Sequence, residues 1–573
     1  MALRTNLVDC GNGIRLERGV ECRLSDGVAL VSDHYYPAGD GPWPSLLMRQ
    51  PYGRDIASTV VYAHPVWFAR HGYHVVIQDV RGRGGSGGEF YPFRNEGRDG
   101  AESIAWLRTL SASNGRIGMY GFSYQGATQL LAAVEQPEGL VCIAPHMTAA
   151  DLYHGWFYHH GALRLSSSLA WGIQMLREDA RRNGLRDASD KLESAWANIR
   201  SQAAHVPYAS HPAIVDPALP GYVCDWFTQR EPGDYWTSQD ISRRLDRIRI
   251  PAFHVAGWFD TYLEGSFAGY LALRQHAGTE FARENQFLIA GPWVHIPWGD
   301  RVGDAHLGEA ANLDTDAILL QWFNHWLKDS GDFNGEPRIR YFTLGANEWR
   351  HAEDLPRDAG FSLYLHSAGR ANSRKGDGVL TLAVPDGNEP RDVFVYDPEV
   401  PVLAPGGPSA LSGPFDQAVL ELGNNLLVYT SEPVTRNTEI LGQPCVTLYA
   451  STSANCADFT AKIVRVAANG RAEFLSIGIA RSSWMFADST FSPDEIHKWH
   501  FTLEPVAFEL AVGERLRLEV ASSAFPLYDR NPSTNVLPQL ADHWNWSRAT
   551  QQVAHTSVCP SALHLPLKGK PGW

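Results

Sequence analysis

Long hydrophobic runs are missing from this chain: no stretch of about 18 apolar residues interrupts its 573 positions, so no membrane-spanning helix is expected. The opening segment MALRTNLVDCGNG has no apolar core after its single Arg, which argues against export. Basic charge is also scarce. Lys and Arg number 49 against 63 Asp and Glu, a formal charge of −14, and no Lys/Arg cluster offers a footprint for phosphate. Nucleic acid and anionic membrane surfaces are therefore excluded as expected partners. Cysteine is sparse and dispersed, with seven residues (Cys10, Cys22, Cys142, Cys224, Cys445, Cys456, Cys559) and no C-x-x-C pair. An odd, scattered set fits reduced thiols in a cytoplasmic protein and carries no disulfide or redox assignment.

Aromatic residues, in contrast, are plentiful, with 19 Trp, 21 Tyr and 24 Phe in a chain that is 44% hydrophobic. That is ample material for packed cores and an aromatic pocket. The length is too great for one core and predicts roughly three or four globular units.

Over the first 148 residues strand and helix signals alternate. Val28 to Tyr36 and Ser45 to Arg49 read as strands, Pro65 to His71 as a short helix closed by Gly72, and YHVVIQD (73–79) as a strand buried on both faces. Asp99 is placed to cap a helix through AESIAWLRTL, with Ile104, Ala105 and Leu107 inward, before a strand at Arg116 to Tyr120. Such β-α-β alternation predicts an α/β fold with a doubly wound, mostly parallel sheet. Residues 149–244 turn helical and aromatic without a convincing strand, the pattern of an inserted helical cap. Sheet signals return over 245–352, at PAFHVA (251–256) and QFLIA (286–290), with helices near Leu263 to Gln275 and Asp314 to Lys328 and a last strand at Arg338 to Leu344. The polar segment HAEDLPRDAG then reads as a boundary, and residues 353–573 as an all-β unit, a sandwich or jelly roll.

Three positions carry a chemistry. In IGMYGFSYQGATQLLAAV, Ser123 falls directly after a strand and directly before a helix, where a nucleophile elbow exposes a serine, with Gly121 and Gly126 allowing close approach. Gln125 stands where the generic G-x-S-x-G wants glycine. A serine nucleophile needs a general base, and the base needs a carboxylate to fix its tautomer. Asp260 and His295 each follow a predicted strand, in the order Ser, acid, His, at the sheet edge that faces the crevice.

These stretches, together with RQPYGR (49–54), YHVVIQDVRGRGGSGGEF (73–90), HVAGWFD (254–260), IAGPWVH (289–295) and SSAFPLYDRN (522–531), resemble the cocaine esterase-like hydrolases, a group allied to X-Pro dipeptidyl peptidases and α-amino acid ester hydrolases. The resemblance runs nearly end to end and is weakest in the cap. It implies an α/β-hydrolase fold with a cap and a C-terminal jelly roll, an S-Y-x-x-G elbow that tolerates Gln125, a triad of Ser123, Asp260 and His295, and an oxyanion hole from the Tyr52 hydroxyl and the Tyr124 backbone N–H. Trp156, Phe157 and Trp171 from the cap and Tyr262 after the acid are expected to line the substrate pocket, and the resemblance places Trp156 and Trp171 there. It also implies that the loop from Gly406 to Gln417 closes a further wall, and it admits a homodimer that nothing in the sequence shows.

Two other motifs are set aside. Gly82 to Gly87 satisfies G-x-G-x-x-G after a strand, but EFYPFRNEG does not start a helix, so no helix N-terminus awaits a pyrophosphate. For His154, His159 and His160, and for the pair His497 and His500, no neighbouring Cys or paired acid completes a coordination set in the sequence, so no metal or other cofactor is expected.

Selectivity follows from what the pocket lacks. Branches that select α-amino substrates carry acids beside the catalytic Asp and in the cap; here those places hold Thr261-Tyr262 and His154-Gly155, with Glu264 the nearest acid. The expectation is a serine esterase for small-molecule esters with a bulky or aromatic acyl group. The alternatives are an amidase or peptidase on the same triad, of the β-lactam acylase, X-Pro dipeptidyl peptidase or α-amino acid ester hydrolase type, and a carbohydrate-binding or scaffold protein whose β unit does the work.

Overall fold

A computed structural model describes residues 6–55, 59–331, 333, 335–356 and 359–573. Its first sheet holds eleven strands: β1 (Asn6–Asp9), β2 (Arg15–Arg23), β3 (Ala29–Tyr36), β4 (Trp43–Gln50), β5 (His74–Asp79), β6 (Ser113–Phe122), β7 (Leu140–His146), β8 (Ala252–Phe259), β9 (Gln286–Val294), β10 (Ile339–Thr343) and β11 (Glu348–Ala352). They lie in the order β1-β2-β3-β5-β4-β6-β7-β8-β9-β10-β11. The run from β5 to β10 is parallel, as the crossover helices require, and the flanking pairs are antiparallel. Helices α1 (Pro65–Arg70), α2 (Glu96–Thr109), α3 (Tyr124–Ala133), α4 (Leu165–Arg182), α5 (Leu263–His276) and α6 (Thr315–Lys328) connect or cover it. Every residue of β5 is buried, in keeping with its apolar run.

Two expectations for α2 are corrected. The helix starts at Glu96, so Asp99 lies within its first turn, and its carboxylate takes two 2.7 Å hydrogen bonds from Arg81 instead of capping backbone N–H groups. Ala105 faces solvent, and the buried face is Gly100, Ser103, Ile104 and Leu107, spaced as one side of a helix requires. The edge strand β11 also goes beyond the expected last strand, taking in His351 and Ala352 of the polar boundary segment; Arg357 and Asp358 of that segment lie outside the described residues.

Between β7 and β8 the chain leaves the sheet for a mainly helical excursion. Its one strand pairing is a two-residue hairpin, Tyr158–His159 against Ala162–Leu163, turned by His160 and Gly161 with positive φ. Trp156, Trp171, Trp226 and Trp236 of this segment share one apolar core with Tyr124, Leu130 and Leu131 of α3. The glycine loop 82–87 anchors it: Arg83 donates to Asp179, to Tyr222 and to the Met175 carbonyl, all across the boundary. The loop stays tight because Asp79 accepts from the Gly85 N–H, and a Cβ at Gly84 (φ +49) would sit 2.1 Å from that carboxylate. A motif with the outline of a nucleotide loop thus docks the cap.

From Phe361 onward the regular structure is almost entirely β, mostly antiparallel, with Asp458–Val466 paired to both Ala472–Arg481 and Arg515–Ala521. A separate three-stranded sheet places Thr438–Gly442 between Val506–Leu510 and Leu567–Lys568. A parallel bridge from Leu344 to Phe508 joins this region to the end of β10. All seven cysteines are free, and no helix among the described residues is long and apolar enough to cross a membrane.

One buried cluster makes the stability of the β-rich region depend on pH. The His555 ring lies between Glu389 (Nδ1 to Oε2, 2.9 Å) and Asp392 (Nε2 to Oδ2, 2.9 Å). Burial works to lower its pKa, but the two carboxylates outweigh it and raise the value above 6.5. Burial likewise opposes the charged forms of Asp392 and Glu389, whose histidine and backbone contacts nonetheless hold both below their usual range. The His555 contribution is fully present below about pH 6.5 and is lost as pH rises through its folded value; the carboxylate contribution is present above about pH 4 and is lost on acidification. Melting followed from pH 5 to 9 is expected to show stability falling on the alkaline side, with a flatter slope in His555→Gln.

Candidate active site

The Ser123 turn is built by close approach. Gly121 and Gly126 flank it where a Cβ would come 2.4 Å from Gln125 Cβ and 2.8 Å from Thr148 Cβ respectively, so both positions require glycine. Ser123 takes φ +61 and ψ −129, a region costly for a residue with a side chain, and its N–H is held by the carbonyls of His146 (2.9 Å) and Met147 (3.1 Å) at the end of β7. The Ser123 side chain makes no capping bond, which leaves its hydroxyl at the head of α3. Gln125, where the generic elbow has glycine, points its Oε1 back to the Phe122 N–H at 3.3 Å.

Asp260 and His295 are brought together by a register shift. β8 and β9 run in parallel with Ala256 opposite Ala290 and Gly257 opposite Gly291, then a bulge moves Phe259 opposite Val294. The next residue of each strand is the candidate acid and the candidate base. Asp260 is wholly buried, and its Oδ1 accepts from His295 Nδ1 at 2.7 Å. With Nδ1 carrying the proton, Nε2 is left as the free lone pair. His295 is wedged between Phe122, whose ring centroid is 5.2 Å away, and Tyr262, edge-on at 5.2 Å. Among the described residues no hydrogen bond joins Ser123 to His295; the hydroxyls of Tyr52 and Tyr262 face the serine instead. Completing a relay requires the Ser123 hydroxyl to turn towards the imidazole, a closure that commonly comes with substrate.

Tyr52 follows β4 and is half-buried at the site. Burial pushes its hydroxyl up to about 12, moderated by Trp171 and Ser123, so it is a neutral donor at physiological pH. The Tyr124 N–H is the first of α3 and has no intrahelical acceptor. Its side chain points away, donating to Glu96 at 2.9 Å and accepting from the Phe93 N–H at 3.0 Å.

The predicted pocket aromatics separate into two layers. Trp156 lies against Tyr262 with centroids 4.0 Å apart, and Trp171 lies 5.6 Å from Trp156 and 6.0 Å from Tyr124, so these rings form one aromatic group next to the elbow. Phe157 is fully buried behind them against Trp226 (4.7 Å) and Trp236 (5.2 Å), in the wall's core. A cavity of about 260 Å³ opens beside His295, bounded by α4 and by Pro408 to Ser412 of the β-rich region, where the loop from Gly406 was expected to form a wall.

Sequence reasoning missed the buried guanidinium beneath this site. Arg164 is fully buried and pairs with Glu264 (2.9 Å), the second residue of α5, and with Glu504 (3.0 Å) of the β-rich region. No local pattern marks it, because its partners are 100 and 340 residues away. The fold also brings Glu264 to His159 and His160, with donor atoms of all three within 4.8 Å, which corrects the expectation that no acid neighbours these histidines. That carboxylate is already engaged by Arg164, the His160 Nδ1 bonds the Ile479 carbonyl, and His159 Nδ1 bonds the Tyr528 hydroxyl.

Comparison with known proteins adds the ancestry. The X-Pro dipeptidyl-peptidase (S15 family) profile matches residues 26–297, and the X-Pro dipeptidyl-peptidase C-terminal non-catalytic domain matches residues 332–564. Over 568 residues the chain is 32% identical to the cocaine esterase of Rhodococcus sp. (strain MB1 Bresler), covering 95% of this chain and 97% of that one. The chain belongs to the S15 family. Solved structures of similar fold include an aminopeptidase from the marine sediment archaeon Thaumarchaeota archaeon (TM-score 0.80, 24% identity, 99% of both chains) and an α-amino acid ester hydrolase (0.77, 23%, 98% of both). A CocE/NonD family hydrolase from Staphylococcus aureus (0.69, 19%) covers 97% of this chain and 94% of that one. This S15 member is thus an enzyme that hydrolyses ester or peptide bonds, on an N-terminal α/β domain followed by a β-rich one.

Proposed function

We propose that the chain is a serine esterase that cleaves carboxylic esters through an acyl-enzyme on Ser123. The observation that carries this reading is the strained Ser123 at the head of α3 beside the Asp260–His295 pair, whose 2.7 Å bond leaves Nε2 free as a base. His295 Nε2 takes the hydroxyl proton as Ser123 Oγ attacks the ester carbonyl, then returns it to the departing alkoxide; water repeats the sequence to release the acid. Asp260 holds the tautomer and balances the imidazolium. The Tyr52 hydroxyl and the Tyr124 N–H are positioned to donate to the oxyanion.

An ester with a bulky or aromatic acyl group suits the Trp156, Trp171 and Tyr262 wall. Free α-amino substrates are disfavoured because Glu264, the acid nearest their ammonium, is neutralised by Arg164. An amidase or peptidase on the same triad is favoured only by the family description. The deciding experiment compares kcat/KM for aryl esters, amino-acyl esters and their matched amides; preference for amides or free-amine substrates would overturn the esterase reading.

Tyr52→Phe removes one oxyanion donor without changing the ring. It is expected to lower kcat by about 10²- to 10³-fold with little change in KM, since the bond strengthens only as charge develops. A raised KM at unchanged kcat would reassign Tyr52 to the pocket wall.

A further inference from the structure

The cavity of about 260 Å³ touches His295 and Thr261 but not Ser123, Tyr52 or Trp156. It thus meets the imidazole that protonates a departing alcohol without being lined by the aromatic residues assigned to the acyl group. Its walls are largely apolar, formed by Leu169 and Ala170 of α4, Ile199, Ala203, Pro408 and Pro526. A volume of about 150 Å³ accommodates a benzene ring, so this one takes an aromatic alcohol with a substituent.

Among the lining residues, one carries a permanent charge. Arg200 is exposed and, among the described residues, makes no ion pair or hydrogen bond, whereas the buried Arg164 and Arg83 each pair with acids. An uncommitted guanidinium over a largely apolar chamber is a recognition pattern for an anion on an otherwise apolar group. The overall charge of −14 does not oppose this at contact range, because repulsion from distant carboxylates is screened beyond about 10 Å in 0.1 M salt.

We propose that this cavity is a leaving-group subsite that binds a carboxylate through Arg200, so that the preferred substrates are esters in which the alcohol component is itself a hydroxy acid. The proposal rests on the serine esterase reading. Hydrolysis then cleaves the acyl C–O bond, transfers the acyl group to Ser123 and releases the hydroxy acid with the proton from His295.

The test uses the full chain and two esters that share an acyl group, phenyl benzoate and 3-(benzoyloxy)benzoate. Turnover of phenyl benzoate by wild type reports on the esterase reading alone. The proposal concerns the ratio of kcat/KM for the carboxylate ester to that for the neutral one. In Arg200→Gln this ratio is expected to fall about five- to tenfold, as loss of a partly solvated charge-assisted bond predicts, and to fall further in Arg200→Glu. Raising the salt is expected to erode the wild-type ratio, and 3-hydroxybenzoate to inhibit wild type more strongly than Arg200→Gln. An unchanged ratio in both variants, with phenyl benzoate cleaved, overturns the subsite and leaves the esterase reading standing. If wild type cleaves neither ester, both fall together.

Discussion

Ser123→Ala is expected to reduce kcat towards every ester the wild type cleaves by about 10⁵- to 10⁶-fold, because attack, proton transfer and the covalent intermediate all pass through its Oγ. The substitution leaves the fold intact on structural grounds. The side chain caps nothing, the positive φ is imposed by the His146 and Met147 carbonyls, and alanine meets the same backbone restriction as serine. A melting temperature close to wild type, measured on the sample used for kinetics, separates lost chemistry from lost structure. Residual turnover above the uncatalysed rate is expected from the oxyanion donors and binding alone.

The second large effect belongs to Asp260→Asn. An amide in place of the carboxylate presents a donor as readily as an acceptor to His295 Nδ1, which allows the ring to place its proton on Nε2, and it withdraws the negative charge that balances the imidazolium. The expected loss in kcat is about 10⁴-fold with KM little changed. Stability is not expected to suffer, since Asp260 is wholly buried and an uncharged replacement lowers its desolvation cost. Comparing kcat, KM and melting of this variant with wild type checks all three expectations. A loss below tenfold would mean that another group orients His295.

Much of this site was legible before any coordinates, for identifiable reasons. Strand ends deliver side chains to one edge of a parallel sheet, so Asp260 after PAFHVA and His295 after QFLIA stood out by position, and β8 and β9 end where that reading needs them. What stayed hidden was the bulge near Gly257 that sets the two side by side, because a one-residue register shift leaves no trace in apolar alternation. Asp99 was misassigned for a related reason. An acid ahead of an apolar run looks like a cap, whereas tertiary pairing with Arg81 had claimed it inside a helix that starts three residues earlier. Arg164 was invisible altogether, since a buried cation is defined by partners the chain brings from far away. Glu264 shows what that costs in reading function: its availability depends on Arg164, which no local motif discloses.

The most direct measurement of the central claim is covalent capture of the nucleophile. Wild type treated with a fluorophosphonate, digested and read by mass spectrometry is predicted to carry one adduct per chain on the peptide containing Ser123, formed in step with loss of esterase activity and absent from Ser123→Ala. Complete inactivation with the adduct on another residue, or ester turnover that persists after Ser123 is fully labelled, would contradict the account.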